Sequence, residues 1–111
     1  MTDKVVILVT APSRVESRRI GRRLVEARLA ACVNITGPVQ SLYRWKGKMA
    51  DDKEFMLFIK STRGLFPRIR KEISKIHGYQ TPEIICLPIV EGSEDYLKWV
   101  EESVVKATES I

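Results

Sequence analysis

Apolar residues recur along this chain in two rhythms, and the switches between them outline the elements. Residues 5–10 form a short, nearly continuous apolar run rich in valine, the pattern of a strand covered on both faces. Ala11-Pro12 ends it. Ser13 with Glu16 three residues on reads as a capping box, in which each side chain satisfies a free backbone donor of the other. Ile20, Leu24, Ala27 and Ala31 follow at spacings of four, three and four, one apolar helix face. From Val33 the period falls to two, with Val33, Ile35, Val39, Tyr43 and Trp45 on the odd positions of an extended segment reaching Lys46. Gly37-Pro38 interrupts it, and because proline has no N–H for a ladder, a bulge or bend in an edge strand is expected there. Gly47 and Asp51-Asp52 bracket a turn, after which residues 54–61 read as the returning strand of a hairpin.

Both sides of that returning strand are apolar, with Phe55, Leu57 and Ile59 on one and Met56 and Phe58 on the other. A single layer of helices would leave the second set bare, so cover from another copy of the chain is expected. Leu65, Phe66, Ile69, Ile73 and Ile76 mark a second amphipathic helix beginning near Thr62, with Pro67 in its first turn, where a missing N–H costs little. Gly78 is placed to end it with a positive φ. Residues 83–90 are another apolar strand, whose Pro88 limits or interrupts pairing. Ser93 caps a last helix holding Tyr96, Leu97, Trp99, Val100 and Val104, and the tail from Lys106 is expected to fray. The order β-α-β-β-α-β with a final α predicts an α+β, ferredoxin-like fold, an antiparallel sheet with helices on one side. One domain, residues 1–111, accommodates all of it.

Charge alters this picture less than its sum suggests. The formal net charge is +5, yet residues 14–28 alone hold six arginines against Glu16 and Glu26, a local +4. Arg14, Arg18 and Arg22 share a helical row that could meet phosphates. No aromatic residue interleaves them as base stacking requires, so a solvated, salt-bridged face is expected and no specific nucleic-acid partner. No apolar run approaches the roughly 20 residues of a membrane span, and residues 5–9 lack the flanks of a signal peptide. A soluble, cytoplasmic protein with no membrane partner is expected. Cys32 and Cys86 sit in apolar strand surroundings without metal-knuckle spacing, which points to free buried thiols.

Candidate chemistry concentrates at His77-Gly78-Tyr79-Gln80-Thr81-Pro82-Glu83, where the chain's one histidine, a tyrosine and a carboxylate lie between a helix and a strand. Imidazole beside a carboxylate can ligate a metal, exchange protons or simply hydrogen-bond a loop. No serine or cysteine nucleophile stands beside the histidine in sequence. There is also no phosphate-binding glycine loop and no close carboxylate pair with an evident acid/base role, so catalysis is not expected.

Seven ordered segments carry a further resemblance. Thr10-Ala11-Pro12, residues 28–34 (Arg28 to Asn34), residues 41–47 (Ser41 to Gly47), Glu54, Lys60-Ser61-Thr62, residues 77–83 and Tyr96-Leu97-Lys98-Trp99 together resemble the CutA divalent-cation tolerance family over nearly the whole chain. The resemblance implies a ferredoxin-like protomer with long second and third strands. It also implies assembly as a homotrimer through sheet edges in the manner of PII-type signalling proteins, and a non-enzymatic role in the response to copper and other divalent ions. The family's proposed copper ligands are a cysteine just before Thr-Ala-Pro, a histidine ending the second helix and the glutamate after the proline. Val9 stands at the first of these positions, so the carry-over leaves His77 and Glu83. That nitrogen–oxygen pair suits weak binding of copper(II) or zinc(II) better than cuprous ion.

The alternative, from a different class, is a PII-like sensor or adaptor binding a small anionic ligand in inter-subunit clefts lined by Trp45, Lys60, His77, Tyr79 and Glu83. Lys60 discriminates between the two, because an ammonium in the cleft would oppose a metal ion and favour an anion. Subunit packing is the plainer role for Trp45 and Tyr79.

Overall fold

A computed structural model describes residues 2–79 and 81–108. The elements are β1 (Lys4–Ala11), α1 (Arg14–Glu26), β2 (Cys32–Trp45) and β3 (Lys48–Thr62), then a 3-10 turn (Arg63–Leu65) leading into α2 (Phe66–Ile76), β4 (Ile84–Pro88) and α3 (Glu94–Ser103). The sheet order is β2-β3-β1-β4 with every neighbouring pair antiparallel, the expected α+β arrangement. β2 is an edge strand, as Gly37-Pro38 implied, and β4 pairs with β1 at the opposite edge.

The core lies between the sheet and the two long helices. Ile7 and Val9 of β1 and Leu57 and Ile59 of β3 meet Ile20, Leu24, Ile69 and Ile73, all fully or almost fully buried. Each such side chain contributes about 1.5–3 kcal/mol by leaving water. The registers Leu8↔Phe58, Leu8↔Ile85, Val6↔Lys60 and Val6↔Leu87 put Val6, Leu8, Phe58, Ile85 and Leu87 together on the opposite face. There the burial is incomplete: Val6, Leu8 and Phe58 are half-buried, and Ile85 and Leu87 are 46% and 45% exposed. β1 is therefore fully covered on one face only. α3 contacts β1 and β3, with Val100 buried and the Lys4 ammonium meeting Glu101. Val105 N donates to Arg28 O at 2.9 Å, and of the tail expected to fray, residues 109–111 lie outside the described residues.

Several boundaries differ from the expectation for local reasons. Ser13 Oγ accepts from Glu16 N at 3.1 Å, but the Glu16 carboxylate completes no box and instead accepts from Gly78 N at 3.3 Å. α1 stops at Glu26 rather than running to Ala31, because Arg28 adopts φ 59° and Leu29 and Ala30 both donate back to Leu24 O. Ala27 and Ala31 still pack on the core from beyond the helix end. Gly78 does not end α2 by a positive φ; His77 has already turned extended (φ −68°, ψ 133°), and a Cβ on Gly78 would meet Glu16 Oε1 at 3.4 Å. Ser93 stands at the N-cap of α3 without a side-chain cap bond.

The hairpin is longer than its apolar pattern suggests. Lys46 and Gly47 both take positive φ (51° and 80°) as the two-residue turn, and β3 starts at Lys48. Residues 48–53 form an arm, exposed except for half-buried Ala50, so little apolar alternation marks it. At Gly37-Pro38, a cis peptide, the register shifts between Thr36 and Val39. This shift changes which residues share a face. Before it, Val33 and Ile35 oppose core residues Ile59 and Leu57; after it, Val39, Ser41 and Tyr43 oppose Glu54, Asp52 and Ala50, the other parity of β3. The odd positions of β2 therefore do not form one continuous face. Gly37, at φ 151°, admits the Phe55 ring where a Cβ would lie only 2.8 Å from Phe55 Cδ2.

Candidate functional site

His77 N closes the last turn of α2 on Ile73 O (2.8 Å), and its ring then points inward with 1% of the side chain exposed. Nε2 lies 2.5 Å from Thr10 O; a carbonyl can only accept, so Nε2 carries the proton. Nδ1 accepts from Tyr79 N at 3.1 Å and lies 3.6 Å from Glu16 Oε2. The His77 and Tyr79 ring centroids are 4.7 Å apart. The imidazole thus ties the end of β1 to the segment after α2 and spends both nitrogens doing so. Val9 is buried in the core.

That tie positions Tyr79 against the arm. Its hydroxyl donates to Glu54 Oε2 at 2.8 Å, and Glu54 is only 7% exposed. Burial, reinforced by the Glu54 charge, pushes the Tyr79 phenol well above its usual range, so it remains a donor. Tyr43 repeats the arrangement by donating to Asp52 Oδ2, and that bond raises its phenol in turn.

Between the arm and the segment after α2 opens a cleft of about 730 Å³. Glu54, Glu83, Tyr43, Trp45 and Tyr79 line it together with Leu42 and uncharged polar side chains; among the described residues no lysine or arginine does. Trp45 is 43% exposed, and the Lys46 ammonium lies 6.0 Å from its ring centroid. Of the candidates read from sequence, the structure brings Trp45, Tyr79 and Glu83 to this cleft, while His77 and Lys60 do not line it. Lys60 pairs with Val6 and Cys32 in the sheet, and its ammonium meets Asn34 Oδ1. Glu54 and Tyr43 complete the wall. Both fall inside segments that carried the family resemblance, but only the shifted register shows that they share a side. Among the described residues, no three His, Cys, Asp or Glu side chains group so as to hold a metal ion.

Comparison with known proteins gives this geometry a family. The profile described as "CutA1 divalent ion tolerance protein" matches residues 5–103. This chain belongs to the CutA1 family. The "Divalent-cation tolerance protein CutA" of Thermus thermophilus is 45% identical over 98 residues, 88% of this chain and 95% of that protein. The "Protein CutA homolog" of Danio rerio is 43% identical over 89% of this chain, which spans 66% of that relative's length. Among solved structures, the CutA1 of Thermus thermophilus superposes with a TM-score of 0.90 at 43% identity, covering 92% of this chain and 99% of that one. The fold derived from periodicity is thus the CutA1 fold. No helix among the described residues is long and apolar enough to cross a membrane.

Proposed function

We propose that this CutA1-family chain acts in divalent-cation tolerance as a homotrimeric binding protein rather than a catalyst, taking copper(II) or zinc(II) weakly at the carboxylates of its cleft. The observation that carries the reading is the wall itself: Glu54 and Glu83 line the cleft without a basic residue among its described lining side chains. Uncompensated carboxylates attract cations and repel anions. Glu83 keeps the role expected of it, and Glu54 replaces His77 as its companion, because His77 Nε2 is a donor and Nδ1 already has one. Two carboxylates leave most of a coordination shell to water or to a neighbouring copy, hence weak binding. The anion-sensor alternative loses support, since the lysine that would have attracted an anion is turned to Asn34.

The trimer is supported by the half-covered sheet face around Ile85 and Leu87, which a second copy would bury. Calorimetric titration of copper(II) and zinc(II) into wild type, Glu83→Gln and His77→Gln tests the site. Binding weakened by Glu83→Gln and retained in His77→Gln is expected; the reverse pattern would return the site to the histidine.

A further inference from the structure

The cleft is far larger than an ion needs. At about 30 Å³ per water molecule, 730 Å³ corresponds to roughly two dozen waters. Small-molecule sites occupy about 300–1,000 Å³. Its wall also carries more than charge, since Tyr43, Trp45 and Tyr79 line it beside Glu54 and Glu83. A metal ion makes little use of aromatic faces, and a neutral donor can bond a carboxylate, as the Tyr79 hydroxyl does, but gains nothing from its net charge. A positively charged nitrogen uses both, because ring faces and carboxylates attract it together. The chain already shows one such approach in the Lys46 ammonium near the Trp45 ring.

Glu54 is the centre of this wall. The residue is 7% exposed, and among the described residues only its Oε2 has a hydrogen-bond partner, the Tyr79 hydroxyl. Among the described residues no partner meets Oε1, and Glu54 lines the cleft. A carboxylate oxygen that faces a cleft, beside one already bonded to the chain, is free to meet a donor or a cation that enters.

We propose that the cleft binds an organic ammonium or guanidinium compound, its cationic nitrogen against Glu54 and Glu83 and a flat apolar body along Trp45 and Tyr43. The inference rests on the reading that these carboxylates face a cation and extends it from metal ions to organic ones; the two compete for the same oxygens.

The probe is benzylammonium, with benzyl alcohol as its uncharged counterpart. Trp99→Phe, a substitution on α3 outside the cleft, leaves Trp45 as the sole tryptophan reporter. In that background benzylammonium is expected to change Trp45 fluorescence saturably, benzyl alcohol is not, and zinc(II) displaces the probe. Glu83→Gln weakens binding roughly tenfold, the scale of one charge-assisted contact, and Glu54→Gln does the same. Glu83 is exposed, so its variant keeps the result interpretable if Glu54→Gln folds poorly. No saturable response to benzylammonium up to about 10 mM, an equal response to benzyl alcohol, or binding unchanged in both variants overturns the proposal. Zinc(II) binding without probe binding overturns this inference and leaves the metal reading standing. Probe binding without zinc(II) binding supports it and removes the metal. Failure of both, with the trimer intact, overturns both and assigns the cleft to a neighbouring copy.

Discussion

The Tyr79 hydroxyl donates to Glu54 Oε2 across 2.8 Å, joining the segment after α2 to the base of the β2/β3 arm. Hydrogen bonds to charged groups contribute about 1.5–3 kcal/mol, and removing one partner leaves the other unsatisfied. Tyr79→Phe should therefore lower unfolding stability by about that amount in guanidinium titrations. Glu54→Gln, which can still accept, should cost less. Equal and additive losses in the double variant would show that the two residues act independently.

Every tyrosine in the chain is held above its ordinary pKa: Tyr43 mainly by its bond to Asp52, Tyr79 by burial and Glu54, and Tyr96 by burial. A raised phenol favours the folded state while it is protonated. Its contribution is complete below the unfolded value of about 10 and is lost as pH rises through the folded one. Phenolate absorbance of the native protein should stay low at pH values where the denatured chain is already half ionised, with Tyr79 ionising last. A native titration matching the denatured one would remove the hydroxyl–carboxylate pairs.

Glu72 behaves oppositely. Its bonds to Lys75 and Arg23, 2.7 Å each, hold its carboxyl below the usual range. A depressed carboxyl stabilises the fold above the unfolded value, and the gain is lost as pH falls through the folded one. Glu72→Gln should cost up to about 1 kcal/mol at neutral pH, since both cationic partners are exposed. The cost should vanish once acid protonates Glu72 in wild type, and denaturation midpoints at several pH values measure this. A cost that persists in acid would point to packing rather than charge.

Periodicity and punctuation made the element order legible, and the fold follows from that order. Ser13, Pro12 and Pro67 each act locally, so their effects could be read before any tertiary contact was known. The extent of the hairpin was not legible, because residues 48–53 are mostly exposed and no burial pattern marks their pairing. The bulge at Gly37-Pro38 was legible, but its consequence was not: one extra residue moves Tyr43 to the parity of Glu54, and that depends on register. His77 was conspicuous as the one histidine, yet its ring is buried against Thr10 O, which lies 67 positions away in sequence. Lys60 was expected to line an inter-subunit cleft; within the single chain, strand pairing puts it between Val6 and Cys32.

The sheet face around Ile85 and Leu87 gives the assembly its test. Sedimentation equilibrium at micromolar concentration should return about three times the 12.7 kDa chain mass, and Leu87→Glu should shift it toward the monomer. A monomeric wild type would leave that face without the partner proposed for it.

Where a cation sits is the most direct test. Copper(II) is paramagnetic and broadens amide resonances near it, so substoichiometric addition to isotope-labelled protein maps its position. Broadening should concentrate at Glu54, Thr81 and Glu83, spare the arginine-rich outer face of α1, and diminish in Glu83→Gln. Broadening centred elsewhere, or unchanged by that substitution, would contradict a cation site in the acidic cleft.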